Sequence, residues 1–514
     1  MTATTWAQTR PTSAVGQKLV SGEAYVTLVQ LTHQPISANN GRLVIAYEER
    51  GMKGMPVYES ADEGSTWQYV VHATDTVRGD GARCNIHWQP HLMEMPRTVG
   101  TLAAGTILMS ASTVCNDDKG RVAEQYLRLY ASTDVGRTWT MRGEVVHGTA
   151  DLPVWEPNLR LLDDGKLVTY YSSEVHKAEG FNQLLGHKVS SDGGLTWGPE
   201  VRDVAFTGGV ERPGMAIVER LPDKRYVLSY ESVDGPTTGD QVHVKFSKDG
   251  LDWGRADARG LGVQTDGGQY PVNCPVISWF PTGGPNGVLI VSSRGADGGG
   301  DSSGRSIYWN TNNGIGPWWE ASAPVQKRPN GRAGWTQAMM LKQDGSFLHI
   351  TSSGSAEAPD DASKNEILFA SARIDFNRYE AEDAARSGGS VMRDASMSNH
   401  SKVRLASEGT GHLKYRIYVA KAGKYQLALN YANIGFSATP RLSVGGKNVS
   451  ATASAASRDE LSLAVRNRDL GTRGTGEKII LEGMAVLTKG ENVIEVAGGA
   501  HALDIDFLEV TPVA

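Results

Sequence analysis

The chain has 514 residues, of which 39% are hydrophobic and 21% charged, and its formal net charge is −6. This length predicts more than one domain, and no apolar run is long enough to predict a membrane-spanning segment. The acidic balance offers no basic stripe for nucleic acid, and the three cysteines, Cys84, Cys115 and Cys274, lack the spacing of a zinc site. The sequence leaves open whether Cys84 and Cys115 form a disulfide or remain two buried thiols.

A strand-opening pattern recurs along the first two thirds of the chain. A residue followed by proline opens an apolar strand at Gln34-Pro35, Gln89-Pro90, Glu156-Pro157, Arg212-Pro213 and Cys274-Pro275, and a sixth opening without proline fits Trp335-Thr336-Gln337. Proline is tolerated at the first position of a strand, and the residue before it is expected to be extended. A second apolar strand follows each opening, at residues 43–47, 106–109, 166–171, 226–230, 288–291 and 347–350.

A second motif recurs out of phase with these openings. It reads Ser-x-Asp-x-Gly-x-Thr-Trp around Asp62, Asp134 and Asp192, with a variant around Asp249 and a degenerate copy at 310–314. An Asp and a Gly two residues apart favour a tight turn in which the carboxylate accepts backbone N–H groups, so each copy predicts a hairpin corner. The repeat suits one four-stranded sheet with its loops, and it predicts an all-β, six-bladed β-propeller over residues 1–376.

Polar residues are expected to converge at one mouth of this propeller. The first strand of each blade lines the central axis, and the antiparallel second strand returns to the same face. Glu156 from the third blade and Glu231 from the fourth therefore become neighbours, with Glu174 and Arg294 on the same face. A single carboxylate of this kind more often pairs with an arginine such as Arg212 than performs catalysis. A converging pair in a cleft nevertheless predicts a catalytic site.

The motifs resemble known families. The Asp motifs are similar to the Asp boxes of sialidase-like β-propellers, and the segments 154–159, 170–172, 212–215 and 230–231 resemble glycoside hydrolase family 93, over roughly residues 25–375. This resemblance implies a retaining, exo-acting enzyme without a catalytic cofactor that removes arabinobiose from the non-reducing ends of linear α-1,5-L-arabinan. It also implies that Glu156 and Glu231 are the catalytic pair. Whether the product is arabinobiose or arabinose stays open.

The neighbours of the two glutamates predict their roles. Glu231 is expected near Arg212 and Arg294, and a nearby cation keeps a carboxylate ionised, as a nucleophile requires. Glu156 follows Trp155, whose apolar face would raise the pKa of the carboxyl and favour the acid/base role. The residues expected to bind substrate at this mouth are His33, Gln89, Trp155, Tyr171, Arg212, Arg294, Trp335 and Gln337.

Near residue 376 the Asp motif stops, and residues 377–514 predict a β-sandwich of jelly-roll type. The segments Tyr-Glu-Ala-Glu at 379–382 and Ile-Asp-Phe-Leu-Glu-Val at 505–510 resemble carbohydrate-binding modules of families 35 and 6. The resemblance implies a structural calcium held by Glu380, Glu382 and Asp506, whose oxygens suit this cation; the alternative is solvated charges at strand edges. It also implies sugar contacts at Asn433 and Asp504. We expect the propeller and the module to be independent folding units.

Two other functions compete with the arabinanase. A sialidase-type exo-glycosidase shares the Asp boxes but needs three arginines and a tyrosine nucleophile beside a glutamate. Arg212 and Arg294 could supply two arginines, but the opening His33-Gln34-Pro35-Ile36 lacks the Phe/Tyr-Arg-Ile-Pro phrase of that group. A non-catalytic sugar-binding propeller is the other alternative, since a fold does not imply activity.

The resemblance also predicts the setting in which the protein works. We expect a monomer whose partner is a polysaccharide, the arabinan side chains of plant cell-wall pectin. The chain begins without a basic, apolar leader segment, which leaves two alternatives, a cytoplasmic enzyme or a secreted one whose leader was removed. We nevertheless expect secretion, because enzymes that degrade polymers meet their substrates outside the cell.

Overall fold

A computed structural model shows an all-β chain. It describes residues 16–22, 24–51, 54–75, 84–235, 240–298, 302–358, 361, 363–394, 396–407, 409–433, 439–455, 478–499 and 501–513. In these ranges the only helical segments are four short 3₁₀ turns, at Ser37–Asn39, Lys177–Glu179, Ala381–Asp383 and Ser398–His400. The described part of the chain thus holds no helix with the length and apolar character needed to cross a membrane.

Six antiparallel four-stranded sheets occupy the region from β1 (Gln17–Ser21) to residue 372. Sheet 1 is β2–β5 (Ala24–Gln30, Leu43–Glu48, Met55–Ser60, Gln68–Ala73), sheet 2 is β6–β9 (Cys84–Glu94, Ile107–Asn116, Val122–Ser132, Thr140–Thr149), and sheet 3 is β10–β13 (Val154–Leu161, Leu167–Ser173, Leu184–Ser190, Val201–Ala205). Sheet 4 is β14–β17 (Arg212–Arg220, Tyr226–Val233, Val242–Ser247, Leu261–Gly262). A small ribbon pairs β18 (Tyr270–Val272) with β21 (Gly295–Asp297). Sheet 5 is β19, β20, β22 and β23 (Val276–Phe280, Val288–Ser292, Ser306–Asn310, Trp319–Ser322), and sheet 6 is β24–β26 (Gln337–Leu341, Phe347–Ser353, Glu366–Ala372) with β1.

The sheets follow one another around a closed ring. Their first strands are in contact in the order β2, β6, β10, β14, β19 and β24, and β24 contacts β2 again. The N-terminal strand β1 pairs with β26 and so completes the last sheet. The arrangement is consistent with a β-propeller, and the predicted all-β class is confirmed.

The Asp motifs form the expected hairpin corners between the third and fourth strands of sheets 1 to 4. Asp134 accepts hydrogen bonds from the backbone N–H and the hydroxyl of Thr138, at 2.9 and 2.6 Å, and from the Ser132 hydroxyl at 2.8 Å. The same serine hydroxyl accepts the N–H of Gly136 at 2.9 Å. Equivalent bonds surround Asp62, Asp192 and Asp249.

The structure shows which cysteines are paired. Cys84 and Cys115 lie directly opposite each other on β6 and β7 and form a disulfide. Cys274 is a free, buried thiol. Of the two alternatives that the sequence left open for Cys84 and Cys115, the structure therefore has the disulfide.

Two further sheets form a sandwich in the C-terminal region. One contains β27 (Arg378–Glu380), β29 (Gly389–Arg393), β30 (Ser401–Leu405), β32 (Gly423–Asn433), β35 (Ala451–Ala455), β36 (Lys478–Leu487) and β38 (Leu503–Pro512). The other contains β28 (Ala385–Ser387), β31 (His412–Val419), β33 (Arg441–Val444), β34 (Lys447–Asn448) and β37 (Gly490–Ala497). Buried residues of both sheets belong to one apolar core.

The same apolar core extends into sheet 5, which differs from the expected independence of the two parts. Trp319 of β23 packs edge-to-face on Tyr379, with ring centroids 4.8 Å apart, and stacks on Tyr415 at 6.1 Å. The Asp383 carboxylate accepts the N–H of Glu320 at 2.6 Å. Because large aromatic side chains are buried across this junction, the sandwich and sheet 5 should unfold together.

Trp319→Ala tests this joint core. Removing a buried tryptophan costs about 3–5 kcal/mol, and we expect the calorimetric unfolding of the full chain to move to lower temperature or to split into two transitions. Val486→Ala in the sandwich is the control, since Val486 is 71% exposed and its loss should change little. Two well-separated transitions in the parent protein would contradict the common core.

Candidate active site

A backbone irregularity recurs at the start of each first strand. One residue there has a positive φ in every sheet: Tyr25 (52°), Gln89 (55°), Glu156 (60°), Met215 (57°), Cys274 (51°) and Thr336 (50°). The strand register shifts at these points in β2, β6, β10 and β14, as in a β-bulge. A bulge re-aims a side chain relative to a regular strand. We call these six residues the mouth ring.

The positive φ values correct two expectations. Gln89, Glu156 and Cys274 precede prolines, but they are left-handed rather than extended. In sheet 1 the equivalent residue is Tyr25, not Gln34, because β2 begins at Ala24 without a proline. In sheet 4 it is Met215, three residues after Arg212.

A cavity of about 400 Å³ extends from the mouth ring along the first strands. Tyr25, Gln89 and Glu156 line it, whereas its other end is lined by His33 and Glu94. His33 follows the C-terminal end of β2, and its backbone N–H donates to Glu94. The structure therefore places His33 at the opposite end of the cavity from Glu156.

Glu156 is held by donors on several sides. Its Oε2 accepts the Ser172 hydroxyl at 2.7 Å and the backbone N–H of Met215 at 3.0 Å. The Tyr25 hydroxyl lies 3.4 Å from Oε1. The backbone N–H of Glu156 donates to Gln89 Oε1 at 3.1 Å. The carboxyl is thus fixed by sheets 1, 3 and 4 together, while Gln89 fixes its backbone.

Glu231 reaches the same place from β15. It lies opposite Gly214 in the β14–β15 register, and its Oε2 accepts the backbone N–H of Cys274 at 2.5 Å. A Cβ atom on Gly214 would lie 3.1 Å from Glu231 Oε1 and 3.6 Å from Glu156 Oε2. The two carboxyl groups therefore flank Gly214, and a larger residue would fill the space between them. The predicted neighbourhood of Glu156 and Glu231 is what the structure shows.

Burial raises the pKa of both carboxyl groups, and their hydrogen-bond donors oppose the rise to different extents. Burial raises the pKa of Glu231 to about 8, the charge of Glu156 adds to the rise, and the N–H of Cys274 opposes it. Burial also raises the pKa of Glu156, but the donors Ser172 and Met215 oppose the rise. These donors favour the ionised form of Glu156. The raised pKa of Glu156 agrees with the expectation from Trp155, whereas the raised pKa of Glu231 differs from the ionised carboxylate expected beside Arg212.

Arg212 does not form a direct pair with Glu231. Its Nη2 donates to Glu174 Oε1 at 2.7 Å and to Gln183 Oε1 at 2.8 Å. Trp155 Nε1 donates to the same Glu174 oxygen at 3.0 Å. The charge of Arg212 still lowers the pKa of both Glu156 and Glu231. Glu174 thus holds the side chains of both Arg212 and Trp155 beside the two carboxyl groups.

Other predicted substrate residues take different positions. Tyr171 is fully buried and donates its hydroxyl to Glu200 at 2.6 Å, so the structure does not bring it to the carboxyls. Arg294 Nη2 donates to the carbonyl of Asn330 at 3.3 Å. Gln337 lines the cavity, but its Oε1 bonds His349 at 2.8 Å. Trp335 lies at the mouth, edge-to-face with Tyr25 at 5.6 Å.

Several groups that contact the carboxyls were not predicted from the sequence. Tyr25 lacked the proline that marked other openings, and the Met215 and Cys274 contacts use backbone N–H groups that no motif reveals. Ser172 had a usable signal. It follows Tyr171 on β11, and because strand side chains alternate, a buried Tyr171 predicts that Ser172 faces the other way.

The predicted sugar contacts of the sandwich are placed differently. Asp504 is 4% exposed, accepts bonds from Arg404 at 2.8 and 2.9 Å, and lies 2.8 Å from Lys402 Nζ. It therefore neutralises two cations instead of facing a ligand. Asn433 ends β32, and its side chain lies outside the described residues.

The predicted calcium ligands are buried near one another. Ser398 links two of them, since its hydroxyl donates to Glu380 at 2.6 Å and its N–H to Asp506 at 2.7 Å. Glu382 accepts Asn399 Nδ2 at 3.2 Å, and its buried Oε2 has no hydrogen-bond partner among the described residues. The donor chemistry fits a hard cation. Among the described residues, however, no three His, Cys, Asp or Glu side chains are arranged as a metal site.

Comparison with known proteins shows similarity at the level of structure. No protein-family profile matches the chain, and no curated protein does. An α-L-arabinanase from Penicillium chrysogenum, solved with arabinobiose, is 28% identical over 71% of this chain and 99% of its own, with a TM-score of 0.58. The α-L-arabinofuranosidase Arb93A from Fusarium graminearum, solved with an iminosugar inhibitor, is 24% identical over 70% and 97%, with a TM-score of 0.58. A family 93 α-L-arabinofuranosidase of that fungus, solved with arabinobiose, is 24% identical over 70% and 98%, with a TM-score of 0.57.

The raised pKa of Glu231 predicts a pH-dependent stability. A carboxyl that binds its proton more tightly when folded contributes stability that is complete below about pH 4.5 and lost as pH rises through about 8. Glu231→Gln has no proton to lose, so its free energy of unfolding should fall less between pH 5 and pH 8.5, by about 2–4 kcal/mol. Urea unfolding at both pH values measures this.

Glu491→Gln is the control for that experiment, because Glu491 has a 51% exposed side chain paired at the surface with Arg416, whose charge does not change over this pH range. This variant should follow the parent curve. An equal fall for the parent and Glu231→Gln would show that Glu231 does not hold a proton in the folded protein at neutral pH.

Proposed function

We propose that the protein is a retaining, exo-acting glycoside hydrolase that cleaves linear α-1,5-L-arabinan from the non-reducing end and releases arabinobiose. The observation that carries the proposal is the pair of carboxyl groups that face each other across Gly214, of which Glu231 is buried and Glu156 is partly exposed. A retaining glycosidase needs such a pair, about 5 to 5.5 Å apart. The P. chrysogenum structure with arabinobiose supports the choice of substrate.

In this mechanism Glu231 is the general acid and Glu156 the nucleophile. Glu231 gives its proton to the glycosidic oxygen as the bond to the anomeric carbon breaks, and Glu156 forms an ester with that carbon. The Glu231 carboxylate then takes a proton from a water molecule, which attacks the same carbon and releases Glu156. The configuration is retained because two displacements occur. The hydrogen bonds from Ser172 and Met215 favour an ionised Glu156, as a nucleophile requires.

The proposal includes the architecture and setting of the enzyme. The six sheets form a six-bladed propeller over residues 1–376, and residues 377–514 form a carbohydrate-binding module. The disulfide between Cys84 and Cys115 supports secretion, since disulfides persist in oxidising compartments. The partly exposed Trp155 and the Arg212 guanidinium at the rim are suited to hold a sugar, one by its apolar face and the other by hydrogen bonds.

Glu156→Gln and Glu231→Gln test the catalytic pair. Each should lower turnover on linear arabinan by at least about 10²-fold while the protein stays folded. Glu219→Gln is the matched control, because Glu219 lines the cavity and pairs with Arg160 away from the mouth ring. Near-normal turnover in either Glu156→Gln or Glu231→Gln would exclude these two residues as the catalytic pair.

Azide separates the two roles. In Glu231→Ala the intermediate on Glu156 forms slowly and azide can displace it, so the product should be a sugar azide of retained configuration. In Glu156→Ala azide replaces the nucleophile and should give the inverted sugar azide. Chromatography and NMR of the products distinguish them, and the opposite result would return the roles to Glu156 as acid and Glu231 as nucleophile.

We further propose that Glu380, Glu382 and Asp506 hold a structural calcium. Two observations support this proposal. The Oε2 atom of Glu382 is buried and has no hydrogen-bond partner among the described residues. Burial raises the pKa of Glu382, and repulsion from Glu380 and Asp383 raises it further. A bound cation would remove this repulsion and bind only the folded state.

A chelator experiment tests the calcium. Because the sandwich shares its core with sheet 5, EDTA should lower the unfolding temperature of the whole chain, and added calcium should restore it. Glu382→Gln should unfold earlier and lose its response to EDTA, whereas Glu495→Gln, at a partly exposed surface pair with His412, should respond like the parent. An unchanged transition in EDTA would exclude the site.

A further inference from the structure

Tyr25 occupies the mouth ring of sheet 1 as Glu156 does in sheet 3. Its φ of 52° is an uncommon conformation for a bulky residue and has to be held by its surroundings. Its backbone N–H donates to the Trp335 carbonyl at 2.8 Å, and its ring packs edge-to-face on the Trp335 indole. The contact between sheets 1 and 6 therefore fixes the direction of the Tyr25 side chain.

The two oxygens of Glu156 have different surroundings. Oε2 accepts two donors, Ser172 and Met215, at 2.7 and 3.0 Å. Within the described residues, the one hydrogen bond at Oε1 comes from the Tyr25 hydroxyl, and at 3.4 Å it is long. An oxygen with a weak partner attacks more readily than one with two short bonds, so Oε1 is the oxygen placed to react.

The Tyr25 hydroxyl is suited to donate rather than to attack. Burial raises its pKa well above the usual value, and the nearby charges of Glu156 and Glu48 raise it further. Other charged or titratable groups near Tyr25 and Glu156 are Glu231, Arg212 and Cys274. A protonated phenol beside Oε1 stabilises the ionised form of Glu156 and limits the directions in which Oε1 can point.

We propose that Tyr25 is a third catalytic residue, whose hydroxyl contacts Glu156 Oε1 and selects it as the oxygen that bonds to the anomeric carbon. This rests on the proposed function. As the bond from Oε1 to carbon forms, the bond from carbon to the leaving oxygen breaks, and Glu231 supplies the proton. Tyr25 keeps its own proton throughout, and its hydroxyl oxygen lies beside the positive charge that develops on the sugar.

Tyr25→Phe removes the hydroxyl and keeps the ring against Trp335. We expect kcat on a linear arabino-oligosaccharide to fall about 10–100-fold, with a smaller change in KM. The acid limb of the kcat/KM profile should move to higher pH, because Glu156 loses a donor that lowers its pKa. Tyr171→Phe is the control, since its hydroxyl also donates to a buried carboxylate, Glu200, but outside the site.

A second readout does not depend on the substrate. Titration of the Glu156 carboxyl carbon by NMR should show a higher pKa in Tyr25→Phe than in the parent and in Tyr171→Phe, with all three proteins folded. If Tyr25→Phe matches Tyr171→Phe in both rate profile and NMR pKa, the role of Tyr25 is overturned while the glycosidase proposal stands. A parent inactive on arabinan overturns the proposed function, and with it the catalytic role of Tyr25, even where the NMR shift locates the hydroxyl at Glu156.

Discussion

Two carboxyl groups that face each other across one glycine repel when both are charged, and the mouth of the ring is organised around this constraint. Burial raises the pKa of Glu231 to about 8, and the charge of Glu156 adds to the rise. The hydrogen-bond donors around the two groups differ. Glu156 receives the Ser172 hydroxyl and the Met215 N–H, whereas Glu231 receives the Cys274 N–H alone among the bonds seen in the described residues. Two identical side chains thus have different surroundings.

The backbone that delivers these groups is itself strained. Six left-handed residues around one ring cost on the order of 1–3 kcal/mol each, and such conformations persist only where the surroundings over-determine them. The ring supplies that restraint, because each first strand contacts its neighbours and β1 closes sheet 6. Closure of the ring therefore also fixes the directions of the side chains at its mouth. A regular strand would place alternate side chains in its neighbouring sheets and not at the mouth.

Much of the architecture could be predicted from the sequence, because turns and strand openings leave local signals. The Asp motifs identified four hairpin corners, and pre-proline positions identified three members of the mouth ring, Gln89, Glu156 and Cys274. The same rule failed at Tyr25 and Met215, since a left-handed residue needs no proline after it. It also misplaced His33, which follows the wrong end of β2.

The surroundings of the two glutamates could not be predicted from the sequence for a different reason. They depend on which partner each charged group finds in three dimensions. Arg212 was expected beside Glu231 but is held by Glu174 and Gln183. Trp155 was expected against the Glu156 carboxyl, yet its indole donates to Glu174. Trp155 and Arg212 thus both donate to Glu174, a third residue, and not to the two glutamates that they were expected to influence directly.

Buried acidic residues also lie close together at the junction between the ring and the sandwich. Asp383 is fully buried at the boundary, where its carboxylate accepts the Glu320 N–H and its carbonyl accepts the Gly267 N–H at 2.7 Å. The preceding residue, Glu382, points into the acidic cluster of the sandwich, while its carbonyl accepts Gln269 Nε2 at 2.6 Å. One short segment therefore carries both the acidic cluster and the contact with the ring. Whatever neutralises that cluster should also stabilise the attachment of the sandwich to the ring, because residues 382 and 383 contribute their side chains to the buried acidic groups and their carbonyls to the contact with the ring.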